Sequence, residues 1–499
     1  MSISETPVVA VPGPPGVGLA HQPPAGDALR ESVISLYRKD QKIYSRAVSG
    51  WFARWRWTLV WATQLLFYGL PWMPWNGRQA VLFDLGVRRF YIFDLVLYPQ
   101  DFIYLTGLLI VSAYSLFLFT AVAGRLWCGY ACPQTVYTEI FMWVERHAEG
   151  DRMQRMRLDA APWGLEKIAR KGGKHFIWLG IGLWTGFTFV GYFTPIRELW
   201  AAAFTAQFTA WETFWTLFYG FATYGNAGWM REQVCKYMCP YARFQGAMFD
   251  RDTLVIGYDA ERGEPRGKHR ARGRKTDLRT AQLGHCIDCG LCVQVCPTGI
   301  DIRKGLQYEC IGCAACIDVC DGVMDKMQYP RGLVRYDTEN GLQRHLQGAQ
   351  LFRRVLRPRV LIYTAVLVLI VGGLATSLWL RSPFRVDVER DRGSLARSVE
   401  EGWVENVYRM QIMNATEEVQ RYRIRVQGLP GMVLDGRVEI EVAPAQTRWV
   451  PVGVRVPPEQ ARTAGAGSHR IDFIVERLAP DARQATRSVF ERSTFLVPR

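Results

Sequence analysis

Two runs of cysteine constrain this chain more than any other feature: Cys286, Cys289, Cys292, Cys296, then Cys310, Cys313, Cys316, Cys320. Each reads C-x2-C-x2-C-x3-C, and the first ends in Pro297. At this spacing, as in bacterial ferredoxins, three thiolates wrap one corner of a [4Fe-4S] cluster and the fourth reaches the other cluster. On that rule one cluster takes Cys286, Cys289, Cys292 and Cys320, and the other takes Cys310, Cys313, Cys316 and Cys296. A zinc site needs only four sulfurs, usually as C-x2-C pairs rather than two adjacent runs of four. Asp321 stands where a second proline is expected, which changes the rigidity of a turn near Cys320 without removing a ligand.

The length of 499 residues exceeds one domain. Mean hydropathy is near zero, but that average mixes strongly apolar blocks with basic ones. A net charge of +15 is compatible with nucleic acid. The basic residues cluster beside apolar segments, however, which suits the anionic face of a membrane better. Residues 1–35 form an expected disordered tail with no cleavable signal pattern. Apolar runs at Trp57–Trp75, Phe102–Gly124, Phe176–Ile196, about Thr213–Trp229 and Val360–Leu380 are each long enough to cross a hydrocarbon core of roughly 30 Å. Leu199–Trp211 is expected in the outer interface, with Glu212 at the aqueous end of the fourth helix rather than buried in the membrane.

Lys and Arg concentrate in 125–174 and 231–357, so these segments and the N-terminus are expected in the cytoplasm and everything after Leu380 outside it. The expected architecture is a multi-domain membrane protein: a four-helix membrane domain over 36–250, a cytoplasmic two-cluster ferredoxin-like domain over 251–358, and a fifth transmembrane helix over 359–381. A C-terminal immunoglobulin-like β-sandwich completes it over 382–499. In that last part Tyr408, Met410 and Ile412 alternate, as do Tyr422, Ile424 and Val426, then Val438, Ile440 and Val442, then Phe473 and Val475. Turn residues, Pro457-Pro458 among them, separate about seven short strands. This domain suggests docking or structure rather than catalysis.

A second cysteine pattern repeats at the ends of two spans: Cys128-Gly-Tyr-Ala-Cys132-Pro133 and Cys235-Lys-Tyr-Met-Cys239-Pro240. Both are C-x3-C-P, which marks spans one to four as two parallel repeats. Helical x3 segments would project both thiols of a pair from one face, a turn apart. Four soft sulfurs brought together could chelate Cu(I), cycle as dithiol and disulfide, or hold another iron–sulfur centre. Arg125, Arg231 and Lys236 are expected to favour the thiolate, and Met238 is more readily a packing residue than a thioether ligand. No His lies within a span, which disfavours a transmembrane b-type haem. His147 and His175 read as surface residues; His285 reads as a solvated loop residue or a hydrogen-bonding neighbour of a cluster. The run Arg262–Lys275 reads as a solvated, lipid-facing or donor-docking loop. No Walker loop, dinucleotide fingerprint or hydrolase elbow is present.

The two C-x3-C-P motifs, the two-cluster segment, a final span and a sandwich tail together resemble the FixG-type cytochrome c oxidase accessory proteins (CcoG/RdxA). Leu36–Tyr44, Pro99–Phe102, Thr194–Glu198 and Tyr336–Asn340 share that resemblance. It implies a bacterial inner-membrane oxidoreductase that reduces Cu(II) to Cu(I) during assembly of the cbb-type cytochrome c oxidase. Oxidase assembly factors and a copper-exporting ATPase or copper chaperone are the implied partners; the electron donor is not identified. Carried over to this chain, the eight ferredoxin cysteines hold two [4Fe-4S] clusters, and Cys128, Cys132, Cys235 and Cys239 bind or reduce copper. Polyferredoxin subunits that pass electrons from quinol, and a non-enzymatic assembly scaffold, are the alternatives.

Overall fold

Helices follow every apolar run, yet their ends depart from the sequence expectation in ways that matter for the site. The structure, a computed structural model, describes residues 42–268, 283–344, 355–391, 393, 396–478 and 487–498. The expected tail over 1–35 and the second half of the Arg262–Lys275 run lie outside these residues. Helix α1 spans Trp51–Gly69 and so takes in Arg54 and Arg56, ahead of the expected Trp57. Then come α2 (Phe102–Ala123), α3 (Leu126–Tyr130), α4 (Pro133–Glu149), α5 (Arg152–Ala160), α6 (Leu165–Val190), α7 (Ile196–Thr205) and α8 (Ala210–Thr223). A π-helical segment, Tyr224–Met230, prolongs α8. Helices α9 (Pro240–Met248), α10 (Ala315–Met327) and α11 (Pro358–Trp379) complete the long elements.

Among the described residues two helical segments, Pro99–Ala123 and Pro358–Trp379, are long and apolar enough to cross a membrane. Leu108, Leu109, Leu361 and Leu369 on them are exposed, and contiguous apolar surface of this kind suits lipid better than water. The other three expected spans are less uniform. Helix α1 opens with Arg54 and Arg56, α6 opens with Lys167, Arg170, Lys171 and Lys174, and α8 has 14 residues before its π segment. Helices α6 and α8 nevertheless touch backbone to backbone. A Cβ added at Gly182 would lie 2.6 Å from the Gly220 carbonyl oxygen, and one at Gly186 would collide with that of Thr216; small residues permit such close crossings. Glu212 has a local task. Its carboxylate accepts the Thr209 N–H at 2.8 Å while the Thr209 hydroxyl accepts the Glu212 N–H at 3.3 Å, a capping box that starts α8.

Both cysteine runs are bracketed by a two-stranded antiparallel sheet, Val255–Tyr258 against Val334–Asp337. At the opposite end of the helices, a sheet the sequence reading did not expect forms from Val81–Asp84, Arg89–Ile92 and Leu95–Leu97. Its Leu82, Tyr91 and Val96, with Tyr98, share a core with Met413 and Ala445 of the C-terminal sandwich.

Among the described residues that sandwich has nine strands where about seven were expected. One sheet runs Val433–Asp435, Thr447–Val456, Val404–Asn414, Phe384–Arg390, with Arg397–Ser398 on the Val404–Asn414 strand. The other runs Glu439–Val442, Gln420–Gln427, Gly467–Leu478, Ser488–Val497. The expected alternation places Tyr408, Met410, Ile412, Tyr422, Ile424, Phe473 and Val475 in the core between them. Val438 is exposed because it precedes its strand. Pro457-Pro458 begins a short helix, Pro458–Ala464, instead of a turn, with Pro458 at the first helical position.

Asp101 fastens the sandwich to the helices. It is 2% exposed and accepts from the Tyr98 N–H at 3.1 Å, from Arg385 at 2.8 Å, and from both Nε and Nη2 of Arg381. Removing one partner of a buried pair leaves an uncompensated charge, typically about 3–5 kcal/mol. Asp101→Ala is therefore expected to loosen the sandwich, read as faster limited proteolysis near 381–385. A cleavage rate equal to that of the unaltered protein would show that the contact holds nothing.

Candidate functional site

The two C-x3-C-P motifs share one backbone. Four residues before the first cysteine of each, the chain breaks out of the helix at Gly124 (φ 54, ψ −123) and Arg231 (φ 43, ψ −113). The residue before that cysteine then accepts a hydrogen bond from the second cysteine: Cys132 N–H to Trp127 O at 3.0 Å, and Cys239 N–H to Val234 O at 2.8 Å. Cys132 and Cys239 are the N-caps of α4 and α9, and Pro133 and Pro240 are the first helical residues. Proline fits there because the missing N–H would have no helical partner. The expectation of one helix carrying both thiols is therefore corrected. Each pair straddles a helix break, with its second cysteine at a helix N-terminus.

The repeats also exchange arms. Gln134 of α4 donates to Asn226 O at 2.9 Å and to Arg231 O at 3.1 Å, at the end of the other repeat. Tyr241 of α9, at the equivalent position, bonds Thr120 and Leu116 at the end of α2. This crossing brings Cys128, Cys132, Cys235 and Cys239 into one neighbourhood, within electrostatic reach of each other. Among the described residues, no three His, Cys, Asp or Glu side chains are already spaced as ligands of one ion. Met238 is 55% exposed and takes no part.

Burial overrides the flanking cations. It pushes the Cys128 thiol up to about 11, with the neighbouring Cys132 adding to the effect, against the opposing pull of Gln245 and Arg125. Cys235 is raised to about 12 by burial and by the other three cysteines. Arg231 is engaged elsewhere, donating to Glu145 at 3.0 Å and to Gly228 O at 2.9 Å. The expectation that Arg125, Arg231 and Lys236 would favour the thiolate is thus corrected for Cys128, Cys132 and Cys235: desolvation of the charged form outweighs the nearby charge.

The two cysteine quartets line two cavities. One is walled by Cys286, Cys289, Cys292 and Cys320 with Tyr258, Val323 and Leu333. The other is walled by Cys296, Cys310, Cys313 and Cys316 with Ile256, Ile302 and Ile311, and Cys292 lines this cavity as well as the first. Left-handed residues recur at matching places in the two loops, Asp288 and Gly290 in one, Gly312 and Ala314 in the other. Such turns aim successive N–H groups at an anion; the N–H groups of Gly312 and Ala315 point at the sulfurs of Cys310 and Cys313. Four sulfurs per apolar cavity, with N–H donors aimed at them, fit a [4Fe-4S] group in each. Asp321 replaces proline because α10 runs straight through it to Met327, where proline would break the helix. Its carboxylate instead accepts the Gly332 N–H at 2.9 Å.

The cysteine loops are docked on the motifs. A Cβ at Gly129, inside the first C-x3-C-P, would lie 2.7 Å from Gly312 O and 2.9 Å from Cys313 Cα. Cys128 packs in the same apolar cluster as Cys313. Arg125 donates to the carbonyls of Tyr308, Cys310 and Ala242, and Tyr336 donates to Gly312 O at 2.5 Å. Asp318 caps α1, accepting the N–H groups of Phe52 at 3.1 Å and Ala53 at 2.7 Å. One cavity is lined by Cys235, Arg231 and Glu232 together with Cys313, Ile311 and Pro297; Arg56, paired with Glu139 at 3.4 Å, lines it too. His147 bonds Trp143 O, His175 bonds Tyr224 and stacks on Trp229, and His285 stacks on Tyr329.

Family models agree with this division. One described as a 4Fe-4S dicluster domain matches residues 230–339, and one described as a 4Fe-4S binding domain matches 105–149. A third, the IG-like fold at the C-terminus of FixG, matches 374–498. With the cysteine-walled cavities, these matches define an iron–sulfur electron-transfer protein. The nitrogen fixation protein FixG of Rhizobium meliloti is 39% identical over 474 residues, 87% of this chain and 90% of that protein. Protein RdxB of Cereibacter sphaeroides is 40% identical over 444 residues, 87% of this chain and 91% of its own length. The crystal structure of a FixG-related protein from Vibrio parahaemolyticus covers 24% of this chain and 99% of its own, at 26% identity and a TM-score of 0.20. The chain belongs to the FixG family.

Gly129 and Asp318 escaped the sequence reading because their partners lie far along the chain. Overpacking costs about 1–3 kcal/mol, so Gly129→Ala is expected to raise hydrogen exchange in 126–132 and 308–316 by at least about fivefold while leaving the sandwich unchanged. Equal exchange in both loops would refute the contact.

Proposed function

We propose that this protein is a cupric reductase of the bacterial inner membrane. In this reading Cu(II) is the substrate, Cys128, Cys132, Cys235 and Cys239 receive it, and Cu(I) is passed on for assembly of a cbb-type cytochrome c oxidase. Cys286, Cys289, Cys292 and Cys320 hold one [4Fe-4S] cluster, and Cys296, Cys310, Cys313 and Cys316 hold the other. When bound, the clusters supply single electrons. Five spans place the N-terminus, both motifs and the cysteine cavities in the cytoplasm, and the sandwich in the periplasm. A copper-exporting ATPase or copper chaperone is the proposed recipient.

The observation that carries the proposal is that two C-x3-C-P pairs from two repeats share one neighbourhood, with Cys128 and Cys235 each beside Cys313 of the cysteine loop. Soft thiolates favour Cu(I) over harder cations, so the site stabilises the product of a one-electron reduction more than its substrate. Burial keeps the Cys128, Cys132 and Cys235 thiols protonated until a metal replaces the protons, which limits their loss to oxidation. The crossed arms of Gln134 and Tyr241 keep the two pairs from separating.

Replacing Cys128, Cys132, Cys235 and Cys239 together by Ala is expected to reduce Cu(II) turnover to the rate of reductant alone, with the cluster absorbance retained. Undiminished turnover with intact clusters would sink the proposal.

A further inference from the structure

Gln245 lies six residues past Cys239, in the helix that follows the second motif, yet its side chain serves the first. It is fully buried. Its Nε2 donates to Gly124 O at 3.3 Å, to the Tyr241 hydroxyl at 3.3 Å and to the Cys128 sulfur at 3.7 Å. Its carbonyl oxygen, Oε1, stands 3.8 Å from the same sulfur and accepts from the thiol S–H. When a metal displaces that proton, the donor to Oε1 is gone. A buried amide oxygen left unpaired costs about 1–3 kcal/mol, and the cation now at the sulfur is the nearest group able to take its place.

The distance allows it. Metal–sulfur and metal–oxygen bonds of about 2.3 and 2.0 Å let two ligands of one ion lie up to about 4.3 Å apart. An amide oxygen is a hard donor, which suits Cu(II); Cu(I) prefers sulfur. The other repeat has no equivalent, because the matching position is Thr138, whose hydroxyl lies at the cavity beside Cys235.

We propose that Gln245 Oε1 is a ligand for Cu(II) at Cys128 and lets go when the ion becomes Cu(I). Binding forms a copper–sulfur and a copper–oxygen bond and releases the Cys128 proton to solvent. Reduction adds one electron, supplied by the reduced iron–sulfur protein, and breaks the copper–oxygen bond. The inference rests on the copper reading above and assigns the residue that distinguishes the two oxidation states.

The experiment uses the full-length protein with oxidised clusters, Gln245→Leu and Gln245→Glu variants, and aqueous Cu(II) or Cu(I) as probe. Cu(II) binding is read by freeze-quenched electron paramagnetic resonance, and Cu(I) binding by competition with a chromogenic chelator. Gln245→Leu is expected to weaken Cu(II) binding by about 10-fold or more and to change its spectrum, with Cu(I) affinity and cluster absorbance unaltered. Gln245→Glu, which keeps an oxygen but loses the N–H to Gly124, is expected to restore Cu(II) binding. Unchanged Cu(II) binding in Gln245→Leu overturns the ligand assignment alone. An equal loss of Cu(II) and Cu(I) binding also overturns it, since Gln245 then only positions Cys128. An unaltered protein that binds neither ion overturns the copper reading and this inference together.

Discussion

The contact of Gly129 with Gly312 and Cys313 is the point on which the rest of the site depends. Two backbones meet there without an intervening side chain, which only glycine allows at such a separation. Arg125 spans the same junction through the carbonyls of Tyr308, Cys310 and Ala242. Asp318 holds the opposite flank by capping α1, and its negative charge is favourable at the positive end of that helix. Cys235 and Cys313 line one cavity. Move the cysteine loop away and the donors of the second motif lose the wall they face.

The duplicated motif explains why the sulfurs can be buried and yet held accurately. A single C-x3-C-P would offer two thiols at the end of one helix, with nothing to fix the partner pair. Here each post-proline helix reaches into the other repeat, Gln134 to Asn226 and Arg231, Tyr241 to Leu116 and Thr120. A displacement of either motif must therefore disturb both. Positioning residues locked by their own hydrogen bonds are what a metal-handling site requires.

Spacing made the cysteines legible in the sequence, because ligand chemistry leaves a local mark. So did the sandwich core, since Tyr408, Met410 and Ile412 alternate with a strand's period of two. Helix bounds were harder. Arg54 and Arg56 read as a flank before a span, but the capped helix runs through them and Arg56 is buried against Glu139. Asp321 read as a lost turn residue, whereas the helix through Cys320 has no turn to rigidify. Gln245 and Asp318 carried no mark at all, because each acts on a residue more than a hundred positions away; Asp101 stood in a stretch of family resemblance, but its task did not show. The chemistry of the thiols was misread for the same reason: nearby cations are visible in sequence, and burial is not.

Arg231 shows how the fold settles a conflict between backbone and side chain. It occupies the left-handed conformation that Gly124 takes in the first repeat, and a non-glycine residue there costs of order 1–3 kcal/mol. Glycine would remove that strain. It would also remove a cation from Glu145, which is 1% exposed and pairs with Arg155 at 2.9 Å, Arg231 at 3.0 Å and Lys174 at 3.5 Å. Burial alone would raise the Glu145 carboxyl, and it is Arg231, with Arg155 and Lys174, that holds it below its ordinary value. Taking one partner from a buried pair typically costs about 3–5 kcal/mol, more than the strain. Arginine therefore wins at this position. The strained turn, four residues before Cys235, is fixed by an ion pair with α4, the helix that Cys132 caps, and so the charge that offsets the strain also binds one motif to the other.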